Sequence, residues 1–278
     1  MKDIKSECNF LFKLEIHRNL SQKKEVAMMA QYALVREPGA QFTRCISSHP
    51  LHHTVNVARA RTQHAAYVST LTELGLEVIR LPPDNTHPDS CFIEDTAVIH
   101  AGKALITRLA KKSRRGEENT VEEFLQEHFP IEHIRAPGTL EGGDVIHLPT
   151  RIICGISQRT NRAGVHQMQT YFDVPVDTIV VPHLLHLKSH VTYLNHNIML
   201  ATYPYTKHPT LLKFDTLKVP KTERYAANTL TLDETVIMPA GYPQTQQLIK
   251  DTGFEVITLN MSEFTKCDGA LTCLSLLF

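Results

Sequence analysis

Lysine plus arginine equals aspartate plus glutamate at 29 each, so this sequence lacks any net charge. A polyanion has nothing to be drawn to, and nucleic acid is not an expected partner. No run approaches the roughly 18 apolar residues that cross a membrane. The stretch "CNFLFKLEIH" near the start is too short and too charged for a signal peptide, so a cytoplasmic protein without a membrane partner is expected. Six cysteines (Cys8, Cys45, Cys91, Cys154, Cys267 and Cys273) contain no C-x-x-C pair. That argues against both a four-cysteine zinc site and a disulfide framework, leaving reduced thiols as the expectation. The 16 histidines contain no H-E-x-x-H.

What is present is ordinary globular material, 278 residues with 42% apolar and 21% charged side chains. Residues 1–31 mix charged and apolar side chains, with a weak helical period from Lys23 to Gln31, and read as an N-terminal extension without chemistry. From "YALVREPG" onward, short β-branched runs alternate with turn residues and amphipathic stretches. Residues 32–278 therefore read as a single α/β domain.

Repeats sharpen the fold. "GLEVIRLPPD" and "GFEVITLNMSE" are near copies, each a helix end, a glycine, a strand and then polar residues. A polar knot followed by two strands recurs in "FIEDTAVIHAGKALITR", "LEGGDVIHLPTRIICGIS", "HLKSHVTYLNHNIMLAT" and "AANTLTLDETVIMPAG", and the knot returns in "CDGALTCLSLLF". Five β-rich modules with connecting helices, arranged around a common axis like propeller blades, account for this pattern. The knots would then converge at that axis, bringing together Glu94 and Asp95, Glu141 and Asp144, His186, a chemically bland Asn228, and Asp268 with Cys273.

A cysteine becomes a useful nucleophile only with a lowered pKa or an adjacent base. His186 would do acid and base work, with Glu141 to orient it. Several carboxylates around one thiol oppose its ionisation, so the set makes sense only with a bound cation, best a guanidinium that carboxylates grip bidentately. Arg108 and Arg159 each follow a strand by a few residues, where either can hold a substrate α-carboxylate. A zinc enzyme is the rival reading, since His183, His186 and His190 stand at i, i+3 and i+7. Pro182 and the β-branched residues that follow argue for a loop and strand there, and no metal is expected. His49, His52 and His53 in "SHPLHH" read as a solvated loop.

Taken in order, "PDSCFIEDTAVI", "ALITR" with "SRRG", "GTLEGGDVI", "GISQRTNRAG", "LHLKSHVT" and "DGALTCLSLLF" resemble the dimethylarginine dimethylaminohydrolases. These belong to the guanidine-modifying superfamily, and the resemblance runs over about residues 32–278. It implies a five-bladed pseudosymmetric α/β propeller, the pentein fold, with outer helices and one catalytic domain. It also implies hydrolysis of methylated arginine to citrulline and an amine through a covalent thiouronium, without a cofactor. Cys273 would be the nucleophile, His186 the acid and base, and Glu141 the support of the histidine. Asp89, Glu94 and Asp95 would hold the guanidinium, while Arg108 and Arg159 would read the amino-acid end. Asp268 would lie beside the nucleophile strand, with Asp144 in the substrate-binding set. Cys267, where an aliphatic residue is expected, would offer its backbone, and Phe42 would occupy the mobile lid over the substrate. The expected partner is a small guanidino compound, and the expected assembly a monomer or a homodimer. The alternatives are an arginine or guanidino-compound deiminase, or an amidinotransferase-like enzyme, of the same fold. A non-catalytic member that docks on ribosomes would not need the Cys, His and Glu set, and zero net charge suits ribosomal RNA poorly.

Overall fold

The architecture was obtained from a computed structural model that describes residues 30–278. The extension expected over residues 1–31 lies outside these described residues, except for Ala30 and Gln31. Strand β1 (Tyr32–Arg36) pairs in parallel with β2 (Glu77–Leu81). A first sheet holds β3 (Ala97–His100), β4 (Lys103–Ile106) and β5 (Ile131–His133), and a second holds β6 (Val145–Leu148), β7 (Arg151–Ile156) and β8 (Val176–Val180). The third comprises β9 (Val191–Asn195), β10 (Ile198–Ala201) and β11 (Asp215–Lys218), and the fourth β12 (Leu230–Leu232), β13 (Thr235–Pro239) and β14 (Glu255–Leu259). Strand β15 (Ser275–Leu277) returns to lie antiparallel on β1 and completes the fifth sheet. Every sheet is an antiparallel pair plus a third strand added in parallel, so the five modules read from the repeats are these five sheets.

Apolar residues wedge each sheet against the next. Val98 and Leu105 of the first meet Val145 and Ile152 of the second. Ile146 and Ile153 meet Val191 and Met199 of the third, whose Leu194 and Leu200 meet Val236 and Met238 of the fourth. Ile237 of the fourth packs with Ala33 and Val35 of the fifth, and Leu34 and Leu276 pack with Ala97 and Ile106 of the first. Each such side chain is buried, a gain of about 1.5–3 kcal/mol apiece for Val, Leu, Ile and Met. The wedges form a closed cycle, and β3, β6, β9, β12 and β15 surround one axial cavity of about 240 Å³. Val98, Ile146, Thr192, Thr231 and Leu276 are among the residues that line it.

Helices fill the crossovers. Helix α1 (Val57–Glu73) starts where the Asn56 side chain accepts a hydrogen bond from the Arg59 N–H and stops before Gly75, whose φ of 92° ends it without a Cβ penalty. Its Ala60, Tyr67, Val68 and Leu71 fill the wedge between fourth and fifth sheets. Helix α2 (Asn119–Leu125) joins β4 to β5, α3 (Arg162–Phe172) joins β7 to β8, and α4 (Pro243–Lys250) joins β13 to β14. Gly253 (φ 98°) then repeats the role of Gly75, which explains the near-identical "GLEVIR" and "GFEVIT". The β10–β11 crossover departs from the expected outer helix. It carries the 3-10 turn Tyr205–Lys207 instead, because Pro204 and Pro209 remove backbone donors, and Tyr205 and Leu211 supply the buried apolar surface.

Candidate active site

Short turns precede the inner strands at one end of the axis: Ile93–Thr96, Gly142–Asp144, Leu187–Ser189, Lys221–Ala227 and Thr272–Leu274. These are the five polar knots, and hydrogen bonds link them into a ring. Gly143 N–H donates to Asp95 (3.1 Å), and Leu187 N–H donates to Asp144 (2.8 Å). Asn228 Nδ2 donates to the Lys188 carbonyl (3.2 Å) and to Thr272 Oγ1 (3.0 Å), while Thr272 Oγ1 donates to Glu94 (2.8 Å). The blades approach so closely that the glycines of "LEGGD" are obligatory. A Cβ on Gly143 would sit 2.6 Å from the His186 ring, and one on Gly142 would sit 1.9 Å from the Glu94 carbonyl oxygen.

Cys273, His186 and Glu141 come together as expected. Cys273 and His186 line one cleft, and His186 Nε2 lies 2.8 Å from Glu141 Oε2. Glu141 is fully buried behind the histidine and also accepts the Ala110 N–H. Asp89, Asp95 and Asp268 line the cleft, with Arg114, Arg159, Ile46 and Cys267. The cleft holds about 20 Å³, room for roughly one water. An arginine-sized ligand needs more room than this, and the loop bearing Ile46 forms part of the wall. That loop is held across the opening by the Ile46 N–H to Asp89 (3.2 Å) and the Ser48 N–H to Asp268 (2.8 Å).

Burial disfavours charge on His186, but Asp95, the Glu141 hydrogen bond and Asp144 outweigh it and push its pKa up to about 9. Burial likewise opposes an ionised Asp95, yet His186 and Arg114 bring it down to about 2. Burial, Glu94 and Asp95 push the Cys273 thiol well above the usual cysteine range. At neutral pH the site without ligand thus pairs an imidazolium with a protonated thiol.

Several expected residues fall elsewhere. Phe42 is not over the cleft: the 3-10 turn Ala40–Arg44 directs it inward, fully buried against Phe92 and Phe264, and Ile46 takes the exposed place. Arg108 does not line the cleft, because the chain turns away after β4 and its Nη1 donates to the Gly138 carbonyl (3.1 Å). Arg114, the first arginine of "SRRG", stands there instead. It grips Glu117 through Nε and Nη2 and reaches Asp95 through Nη1 at 2.9 Å. Burial opposes its charge, but Glu117 and Asp95 hold it firmly ionised. Asp144 is fully buried and lies away from the cleft wall, accepting from Ser157 Oγ and the Leu187 N–H, so it braces the histidine's turn. Glu94 faces the axial cavity, engaged by Lys188 and Thr272. Arg159 is where it was expected, buried on the cleft wall, with Nη1 3.5 Å from Glu141 Oε1 and neither Nε nor Nη1 making a hydrogen bond.

The expectation of reduced thiols fails at one pair. Cys45 and Cys267 form a disulfide, across 222 positions of sequence, between the Ile46 loop and the turn bearing Asp268. The zinc reading finds no support in the helix it needed: His183 lies in a loop, bonded to the Tyr205 hydroxyl at 3.0 Å, and His190 ends a turn. His52 and His53 are exposed, as a solvated loop requires.

A closed cycle of five small sheets with a thiol, an imidazole and acids at its hub has the makings of a cysteine-dependent enzyme. The family model for "N,N dimethylarginine dimethylhydrolase, eukaryotic" matches residues 40–260. The N(G),N(G)-dimethylarginine dimethylaminohydrolase of Pseudomonas aeruginosa is 36% identical over 255 residues, covering 90% of this chain and all of the relative. That of Streptomyces coelicolor is 35% identical over 254 residues, 89% of this chain and 97% of the relative. The solved Pseudomonas aeruginosa structure of a cysteine-to-serine mutant complexed with citrulline superposes with a TM-score of 0.87, over 90% of this chain and 100% of that one. The chain belongs to the dimethylarginine dimethylaminohydrolase family.

Proposed function

We propose that residues 32–278 form a single catalytic unit that hydrolyses N-ω-methylated arginine to citrulline and dimethylamine or methylamine. The observation that carries this reading is the convergence of Cys273, His186, Asp95, Asp89 and Arg159 on one cleft in a chain of this family. The substrate's guanidinium sits against Asp95 and Asp89, and its charge stabilises the Cys273 thiolate as the thiol proton leaves to solvent. Sulfur then attacks the guanidinium carbon. His186, already protonated at neutral pH, gives its proton to the departing amine. The neutral imidazole next takes a proton from water, whose hydroxide adds to the thiouronium carbon, and collapse expels the thiolate and releases citrulline. Arg159, buried on the cleft wall with Nε and Nη1 making no hydrogen bond and Nη1 3.5 Å from Glu141, supplies the fork for the α-carboxylate.

The proposed setting is the cytoplasm, as a monomer or homodimer. Disulfides are uncommon there, and this one is shielded from thiol reductants, Cys45 and Cys267 being 5% and 2% exposed. Among the described residues, no helix is long and apolar enough to cross a membrane. Incubation with asymmetric dimethylarginine should release citrulline and dimethylamine in equal amounts. Cys273→Ser should abolish turnover with an unchanged circular dichroism spectrum, and Arg159→Ala should mainly raise KM. Activity surviving in Cys273→Ser sinks the nucleophile assignment, and equal turnover of unmethylated arginine demotes the reading to a general deiminase.

A further inference from the structure

The fourth module contributes no acid, base or nucleophile to the cleft, yet its knot residue is 3% exposed and its carboxamide is engaged at both ends. Asn228 Oδ1 accepts the Thr272 N–H at 3.1 Å, Nδ2 donates to Thr272 Oγ1 at 3.0 Å, and the same Nδ2 donates to the Lys188 carbonyl at 3.2 Å. Thr272 immediately precedes Cys273, and Lys188 lies two residues after His186. One amide plane therefore clamps the turn of the nucleophile, by main chain and side chain together, to the turn of the general acid. The other link between these turns runs through side chains alone, from Lys188 to Glu94 to Thr272. Long side chains permit sliding that a short carboxamide bonded to two main-chain groups does not.

We infer that Asn228 is a positioning residue, whose carboxamide sets the separation at which the Cys273 sulfur and the His186 ring meet the substrate. The inference rests on the proposed function for its kinetic readout. Such a clamp acts on the chemical step, where sulfur and imidazole must both reach one carbon centre, and leaves the binding of the amino-acid end to Arg159. A misplacement of about 1 Å in reacting groups costs on the order of 10²-fold.

The test is Asn228→Ala, assayed for turnover of asymmetric dimethylarginine and, by peptide mass spectrometry, for alkylation of Cys273 with iodoacetamide between pH 6 and 9. The expected result is a kcat lower by roughly 10- to 100-fold with KM within about threefold. Alkylation should meanwhile quicken, because a loosened turn opens further a half-buried thiol on the cleft wall that desolvation, Glu94 and Asp95 otherwise keep protonated. A fold defect without a positioning role would instead lower kcat and raise KM together, and would expose Cys91 and Cys154 to alkylation as well. That pattern overturns the inference, as does a kcat within twofold of the parent. Should Asn228→Ala fail to fold, Thr272→Val removes only the Oγ1 contacts and should give the same split, smaller; an unchanged kcat there counts against the clamp. A parent enzyme that turns over no methylated arginine would refute the proposed function, and the alkylation comparison would still decide the role of Asn228.

Discussion

His186 stands with Asp95 and Glu141 on one side and a protonated thiol on the other, and its charge is part of what keeps the hub folded. Because its pKa in the folded protein is raised to about 9, the stability it contributes is complete below about 6.5, its unfolded value, and is lost as pH rises through 9. Asp95, lowered to about 2, behaves oppositely: its contribution is present above about 3.9 and lost as pH falls through 2. The melting temperature of the parent should therefore decline between pH 6.5 and 9, and His186→Asn should flatten that decline. Equal slopes in the two proteins would mean that the ring is not charged at rest. At this scale much of the site was legible. Cys273, His186, Glu141 and Asp95 each sit within a knot, and knots reveal themselves by repetition, whereas Asp89 came only from the family resemblance. Arg114 was hidden because three arginines follow β4, and only the path of the loop decides which one turns inward. Phe42 was misplaced for a similar reason, since one 3-10 turn separates the residue that faces the core from the one that faces the cleft.

Among the elements, the loop around Ile46 forms one wall of the cleft, and it is tied down. Its disulfide joins it to the turn of Asp268, so the two lips of the cleft that already share the Ser48–Asp268 hydrogen bond are also joined covalently. Replacing the pair by Cys45→Ala with Cys267→Val should cost about 2–4 kcal/mol of stability, the usual range for removing such a link. The loop over residues 46–54 should become more readily cleaved by protease, and KM should rise. Unchanged cleavage and KM would show that the hydrogen bonds alone hold the loop. No reading of spacing finds this pair, because two cysteines so far apart meet only through the closure of the fold. Strands and crossovers were far easier to anticipate, since "GLEVIR" and "GFEVIT" repeat a whole helix end, glycine and strand. The missing helix between β10 and β11 is written in Pro204 and Pro209, read only after the fact.

For the whole molecule, closure rests on β15 meeting β1, where Ala33 pairs with Leu277 and Val35 with Ser275. Contacts so distant in sequence form slowly, because loop-closure entropy opposes them until late. If the chain is unfolded with its disulfide reduced and then allowed to refold, turnover should return after the far-UV circular dichroism signal of the other sheets. Simultaneous recovery would place closure early. The strand that seals the ring directly follows the turn of Cys273, so the finished perimeter and the reactive sulfur arrive together. Four completed blades without the fifth hold an imidazole, acids and arginines at the hub but lack the thiol to which the proposed mechanism gives the attack on carbon. On that mechanism a fragment ending before residue 273, however well its sheets have formed, should be chemically mute, and turnover should count closed rings.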